Sequence, residues 1–374
     1  MRFPEFKEGW EVKKLGEICE MRAGKFIVAS EIYDKPNDSL FPCFGGNGLR
    51  GYTKSFNKEG TYSLIGRQGA LCGNVTLANG KFYATEHAVI VEPNENADTI
   101  WMFYLLTYLN LNQYATGMAQ PGLSVQNLEK IEIVFPKSKK EQQKTASFLS
   151  KIDERIRTQN KIIEQLETLI KGLSENLFSQ KIRFKKFEKK WEVKTLGEIL
   201  IEINERTINS NQYRVLSSTA KGLFYQSDYF NKEVASKDNA GYKILKINQL
   251  VFSPQNLWLG NINVNTTYEI GIVSPSYKVF SFNEKAIVSY CKYFLKSSKM
   301  MFEYEQCSEQ GASIVRRNLN MDLFLNIPIL LPKLEEQIQI SSFLTKIDQK
   351  IQTEKAILEQ LEIQKKYLLQ QMFV

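Results

Sequence analysis

Residues 138 to 178 read SKKEQQKTASFLSKIDERIRTQNKIIEQLETLIKGLSENLF. Within them Ile152, Ile156, Gln159, Ile163, Leu166, Ile170, Leu173 and Leu177 fall alternately four and three residues apart. That spacing keeps one narrow stripe on one side of a helix, which is a coiled-coil seam. Ser138 followed by Glu141 forms a capping box, and Pro136 stops any earlier helix from running in. At ~1.5 Å per residue the helix is roughly 60 Å long. Helices of ordinary globular cores are shorter, so a rod between two bodies is expected.

The stretch occurs twice. Ser147-Phe-Leu-Ser-Lys-Ile-Asp153 returns as Ser342-Phe-Leu-Thr-Lys-Ile-Asp348. The seam returns as Ile347, Ile351, Glu354, Leu358, Leu361, Lys365, Leu368 and Met372. Gln159 and Glu354 share a seam position, where a polar residue fixes register at a cost in stability. The opening of the chain is doubled as well. Trp10-Glu-Val-Lys-Lys-Leu-Gly-Glu-Ile18 matches Trp191-Glu-Val-Lys-Thr-Leu-Gly-Glu-Ile199, with Arg2-Phe3 and Phe6 matching Arg183-Phe184 and Phe187. The chain is therefore two units, each a body followed by a long helix, and the two helices are expected to pack on each other.

The expected divisions are a first body over residues 1–137, a helix over 138–180, a second body over 181–332 and a second helix over 333–374. In the first body Phe41 to Gly51 reads as a glycine-rich loop. Tyr62–Gly66, Lys81–Thr85 and His87–Val91 read as strands, the first two flanking the turn Gly66-Arg-Gln-Gly69, and Ile100–Leu109 reads as helix. Ile131–Pro136 is a closing strand, echoed by Ile327–Pro332. Lys181–Lys190 reads as a solvated basic linker. In the second body Gly73-Asn-Val reappears as Gly260-Asn-Ile, but Pro254-Gln-Asn-Leu-Trp258 and Gln310 to Arg317 have no counterpart in the first. Like frames with unlike interiors point to two readers of two different things.

The 374 residues carry 49 Lys and Arg against 41 Asp and Glu, a formal charge of +8, which leans toward a polyanionic partner. Five cysteines without C-x-x-C spacing fit a reduced cytoplasmic protein. No secretory signal and no membrane-spanning run is read. Catalytic chemistry is not legible. The one histidine, His87, lies in a strand-like run and reads as a packed or hydrogen-bonded residue. Phe44-Gly-Gly-Asn-Gly48 has a proline upstream and no helix after it, so it reads as a turn rather than a nucleotide loop. Ser274-Pro-Ser-Tyr277 is read as a turn. Glu11-Val-Lys13 and Glu192-Val-Lys194 lack a preceding aspartate and sit in W-E-V-K-x-L-G-E-I, whose Trp, Val, Leu and Ile read as packing residues. No metal site and no P-loop is present in the pattern.

Binding chemistry remains. Arg67 and Gln68 stand between two glycines; arginine can pair bidentately with guanine, glutamine with adenine, and glycine lets the backbone approach a duplex. Asn47, Arg50, Asn74 and Lys81 lie in neighbouring turns. The second body offers Lys221, Gln255, Asn256, Arg316 and Arg317.

With these residues in view, the chain resembles the specificity subunit of type I restriction-modification systems. The resemblance rests on the doubled W-E-V-K-x-L-G-E-I opening, on Leu64-Ile-Gly-Arg-Gln-Gly69, Gly73-Asn-Val and Tyr83-Ala-Thr-Glu-His-Ala88. It rests also on Glu141-Gln142 with Phe148-Leu149 and on Glu336-Gln337. Two departures stand out: Lys365 where the first seam has Ile170, and Gly172 inside the first helix where Tyr367 stands in the second. The resemblance implies a mixed α+β fold, with two α/β target recognition domains and two long helices in an antiparallel coiled coil. It implies a non-catalytic subunit binding double-stranded DNA, each body reading half of a split asymmetric site. Two methyltransferase subunits and, through that core, restriction subunits are the implied partners. S-adenosylmethionine, ATP and magnesium would belong to them, and no cofactor to this chain. A coiled-coil adaptor without a DNA role and a self-sufficient nuclease or methyltransferase are the alternatives.

Overall fold

The computed structural model describes residues 2–69, 71–117, 121–229, 238–310 and 316–373. The chain divides into two compact units: Met1–Lys161 with Ala356–Val374, and Ile162–Lys355. The fold is mixed α and β, as the resemblance implies.

The first unit begins with β1 (Trp10–Lys14), α1 (Leu15–Ile18) and β2 (Cys19–Ala23). It continues with β3 (Phe41–Gly45), β4 (Gly48–Thr53), β5 (Lys58–Gly66), β6 (Val75–Ala84) and β7 (Ala88–Pro93), then α2 (Thr99–Tyr108), α3 (Val125–Glu129), β8 (Glu132–Pro136) and α4 (Lys139–Phe178). Strands β2-β7-β5-β6-β3-β4 form one sheet in that order, and β1 pairs antiparallel with β8. The stretch Phe41–Gly51, expected as a loop, is instead the β3–β4 hairpin. Pro42 is tolerated because its partner across the ladder, Tyr52, turns its own N–H and C=O to Tyr33 at 2.8 Å each. No ladder bond is therefore missing at the proline. His87 is also corrected: it lies in the turn before β7, not in a strand, with its side chain 44% exposed.

The second unit holds β9 (Glu192–Thr195), β10 (Leu200–Ile203), β11 (Leu216–Thr219), β12 (Gly222–Tyr225), α5 (Gln226–Tyr229), β13 (Lys243–Lys246), β14 (Leu250–Phe252) and β15 (Ile262–Val264). Then come β16 (Ile270–Val273), β17 (Lys278–Phe282), α6 (Val288–Phe294), α7 (Ser298–Gln306), β18 (Ser308–Gln310), β19 (Arg317–Leu319), α8 (Met321–Leu325), β20 (Pro328–Leu331) and α9 (Leu334–Met372). Its largest sheet runs β10-β17-β14-β15, and β9 pairs with β20 as β1 does with β8. Ser274–Tyr277 is a turn between β16 and β17, closed by Tyr277 N–H to Ser274 O at 3.0 Å.

The repeated sequences become repeated contacts. Arg2 grips Glu141 with Nε at 2.6 Å and Nη2 at 2.9 Å, and Arg183 grips Glu336 at 2.7 and 2.8 Å. Phe3 packs edge-on against Phe148, and Phe184 against Phe343. Gln142 and Gln337, both fully buried, each accept one backbone N–H and donate to two carbonyls. Lys181–Lys190 is thus no free linker but a copy of the N-terminal clasp. The capping box at Ser138 is half-made. Ser138 Oγ accepts from Glu141 N–H at 3.4 Å, while the Glu141 carboxylate goes to Arg2 and Trp10. In the W-E-V-K-x-L-G-E-I repeats Leu15, Ile18, Leu196 and Ile199 are buried, but Val12 and Val193 are 68% and 71% exposed on the outer face of their strands.

All the seam residues are buried or half-buried, whereas Leu169, Ile357, Ile363 and Tyr367, off the stripe, are exposed. In the first unit Leu149, Ile152 and Ile156 share an apolar core with Trp101, Leu105, Leu368 and Met372. In the second, Ile170, Leu173 and Leu177 share one with Tyr290, Ile340 and Leu344. Each helix is therefore part of a globular core as well as a coiled-coil strand. The two run antiparallel within each unit. Lys365 pairs with Asp153 at 2.5 Å in the first, and Lys355 with Glu167 at 2.6 Å in the second. Helix α4 passes through Gly172 unbroken and closes with Gln180 in the left-handed region (φ 59°), so that Ile182 N–H reaches Asn176 O.

Candidate nucleic-acid interface

Strand β5 ends at Gly66 and β6 begins at Val75, so the connection between them presents Arg67 and Gln68. Its base is closed by Gly66 N–H to Asn74 O and Gly73 N–H to Gly66 O, both 2.8 Å. Gly73 has φ +86°, and a Cβ there would lie 2.4 Å from Asn112 N. At Gly66 a Cβ would lie 2.0 Å from Gly46 O, so the β3–β4 turn can close over this connection only because residue 66 is glycine. Arg67 N–H donates to His87 O at 2.9 Å, and Arg67 O accepts from Leu123 N–H at 2.9 Å. Gln68 bridges to Gly122. These bonds draw the β3–β4 turn with Asn47, the Arg67–Asn74 connection, the Glu86-His87 turn and the segment around Gly122 into one loop cluster.

The second unit builds the same place differently. β14 ends at Phe252 and β15 starts at Ile262, with a 3-10 turn over Pro254–Leu259 between them. Ser253 N–H to Asn261 O, 3.3 Å, is the counterpart of Gly66 to Asn74, and Gly260 at φ +84° is the counterpart of Gly73. Arg67 and Gln68 thus stand where Pro254 and Gln255 stand. Beside the turn, β18 and β19 replace the Thr116–Gly122 pairing. Arg317 lies over Trp258, its guanidinium 4.0 Å from the ring centroid, and pairs with Glu305 at 3.2 Å. Residues 311–315 of the Gln310–Arg317 stretch fall outside the described residues.

The sequence candidates therefore sort into places. Asn47, Arg67, Gln68 and Asn74 belong to the first cluster, and Arg50 lies on β4 beside it. Lys81 is on β6, 4.0 Å from Glu59 and over the Phe56 ring, apart from that cluster. Gln255, Asn256 and Arg317 meet at the 3-10 turn, with Arg316 next in sequence. Lys221, at the β11–β12 turn, lies elsewhere. Glu86 and His87 were not among the expected binding residues. Their side chains approach to 3.2 Å, and Glu86 Oε2 has no hydrogen-bond partner among the described residues. The signal was present in the sequence: an acidic residue and the one histidine lie just past a strand.

Nucleophilic chemistry has little support here. All five cysteines are buried and unpaired, and burial pushes the Cys19 thiol up to about 12. Among the described residues no group of three or more His, Cys, Asp or Glu could hold a metal ion. No helix is long and apolar enough to cross a membrane.

A family model for the type I restriction modification DNA specificity domain matches residues 7–168 and again 188–363. The specificity subunit of the type I restriction enzyme EcoprrI of Escherichia coli is 47% identical over 154 residues, 41% of this chain and 38% of that protein. The MjaVIII specificity subunit of Methanocaldococcus jannaschii is 25% identical, with 97% of this chain and 91% of that protein covered. Among solved structures, the S subunit of a type I restriction-modification system from M. genitalium aligns with TM-score 0.63 at 17% identity, covering 100% of this chain and 99% of that one. A chain from work on complex assembly and conformational transition of the type I R-M system aligns with TM-score 0.55 at 14% identity, covering 99% and 98%. At these identities the two structures show a shared fold.

Proposed function

We propose, from the premise that this chain belongs to the type I restriction-modification DNA specificity family, that it is the non-catalytic reader of a bipartite, asymmetric DNA site. Each body binds one half-site, with its reading edge at the Arg67–Asn74 connection in the first unit and the Pro254–Leu259 turn in the second. Base edges are read by Arg67, Gln68, Asn47 and Asn74 in the first, with Arg50 beside them, and by Gln255, Asn256 and Arg316 in the second. Arg317 supports that turn through Trp258. The long helices set the distance between half-sites and offer a docking surface to two methyltransferase subunits, through which restriction subunits join. S-adenosylmethionine, ATP and magnesium belong to those partners, and the complex works in the cytoplasm.

One observation supports this reading above the rest. The two units repeat a frame down to individual hydrogen bonds, yet at one matched connection Arg67-Gln68 is replaced by Pro254-Gln255. A frame kept while its tip is rewritten is what two independent readers need. A structural adaptor would have no use for rewritten tips, and an enzyme would need a constellation that the sequence does not present.

The experiment is replacement of residues 181–332 by those of another family member, expressed with methyltransferase, and methylome sequencing. One half-site changes and the other stays. A change in both half-sites, or in neither, removes the reading. Lengthening both long helices should widen the gap between half-sites and leave the bases unaltered.

A further inference from the structure

The second unit contains a cleft of about 870 Å³ between its body and the helices α4, α6 and α9. Its charged lining is Lys171, Lys221, Lys292 and Lys296 against Glu175 and Asp348. The two carboxylates are already engaged. Asp348 takes Lys292 at 2.6 Å and the Tyr293 hydroxyl at 3.2 Å, and Glu175 accepts the N–H and hydroxyl of Ser298 at 2.8 and 2.7 Å. Among the described residues no carboxylate lies within ion-pair distance of Lys171, Lys221 or Lys296. Lys296 is open to solvent and donates to Asn263 Oδ1 at 2.7 Å. Crowding by the cleft wall, and then the charge of Lys292, pull its pKa below the ordinary lysine value. An anion beside it would reverse that pull.

The body's part of the frame does not require these two lysines. Tyr104 and Tyr293 hold matched places, since their hydroxyls reach the repeated Asp153 and Asp348. By that match Lys292 stands where the first unit has Phe103, and Lys296 where it has Thr107. Thr107 donates its hydroxyl to Phe103 O at 2.8 Å and carries no charge. Asn263, matched through Gly260 and Gly73, replaces Thr76. The two lysines that the second body adds to its cleft, Lys292 and Lys296, thus have uncharged counterparts in the first body, where the cation beside Asp153 is instead Lys365 of α9.

We propose that this cleft seats a phosphate of the DNA backbone, held by Lys296 and Lys221, and so positions the duplex on the second unit without reading bases. The inference rests on the DNA-reading function above and adds a contact that belongs to one body alone. Free inorganic phosphate carries the same chemistry, so the test separates the two sources.

The full chain with its methyltransferase partner is titrated with a duplex containing its site at a series of salt concentrations. Each phosphate contact contributes about 0.9 to the slope of log K against log [salt]. Lys296→Met should lower the slope by about that amount and weaken all sequences alike, and Lys296→Arg should retain it. A wild-type slope in Lys296→Met, or a changed half-site preference, overturns the inference. In parallel, inorganic phosphate is added to the free chain and followed by phosphorus NMR. Binding there, combined with an unchanged DNA slope in Lys296→Met, assigns the cleft to a small anion and likewise overturns it. If the wild-type complex binds no DNA, the functional reading falls and this contact with it.

Discussion

Gly172 sits inside α4, six residues before the helix ends at Phe178, exposed, with nothing within 4 Å of where a Cβ would be. Glycine costs about 1 kcal/mol in a helix interior relative to alanine, because the unfolded chain loses more freedom on folding. With open space and helical backbone, Gly172→Ala has no steric term to set against that gain. The expected stabilisation of the second unit is about 1 kcal/mol, a rise of ~2–4 °C in Tm for a unit of this size. Differential scanning calorimetry of the free chain measures it. The control is Gly73→Ala, where φ is +86° and a Cβ would lie 2.4 Å from Asn112 N. There the sign should reverse, in the first unit. If Gly172→Ala lowers Tm or leaves it unmoved, the helix is not continuous through residue 172 and the reasoning about α4 fails.

Arg183→Met leaves Glu336, whose side chain is 3% exposed, without its bidentate partner. The expected loss is about 2 kcal/mol, below the roughly 3–5 kcal/mol of a fully buried pair because Arg183 is partly solvated, and urea unfolding measures it. In the first unit Lys365→Ile leaves Asp153 with the Tyr104 hydroxyl, costing at most about 1 kcal/mol. A double-mutant cycle with Phe103→Lys, which imitates Lys292, should show favourable coupling, and strict additivity would contradict the match. Alkali gives the fourth case. Lys292 is raised above the ordinary lysine value: burial opposes this, but Asp348 outweighs it; Tyr104 and Tyr293 are raised chiefly by burial. Groups raised on folding stabilise below their unfolded values, and that contribution is lost as pH climbs through the folded ones. Stability should therefore fall above about pH 10, less steeply in Asp348→Asn as far as Lys292 contributes. A flat profile from pH 9 to 11.5 would refute it.

The sequence disclosed most where a pattern was long or doubled. The seam register could be read because eight positions obey one spacing, and the same spacing recurs 195 residues on. The match of Arg2 and Phe3 to Arg183 and Phe184 marked the clasp without saying what it clasped, since Glu141 and Glu336 lie far along the chain. Short elements were harder. Phe41–Gly51 carries glycines and a proline that argue for a loop, and only the bonds of Tyr52 to Tyr33 explain why it pairs. Val12 and Val193 look like core by composition, but a two-stranded ladder has an outer face and they lie on it. The candidate reading residues were only partly legible. A turn such as Gly66–Gly69 can be recognised locally, but its meeting with His87 and Gly122 depends on closure of the sheet. Nothing local marks Lys292 or Lys296, because their match to Phe103 and Thr107 runs through Asp153 and Asp348, which lie far along the chain.

The partners of the paired aspartates bear on how such a chain can change in evolution. Asp153 draws its cation from Lys365, so both charges lie on the long helices, whereas Asp348 on α9 draws Lys292 from the second body. A foreign first body grafted onto these helices need bring only a tyrosine. A foreign second body must also bring a cation, or leave a carboxylate stranded at the graft junction. Recombination should therefore accept donors more freely at one end of this gene than at the other.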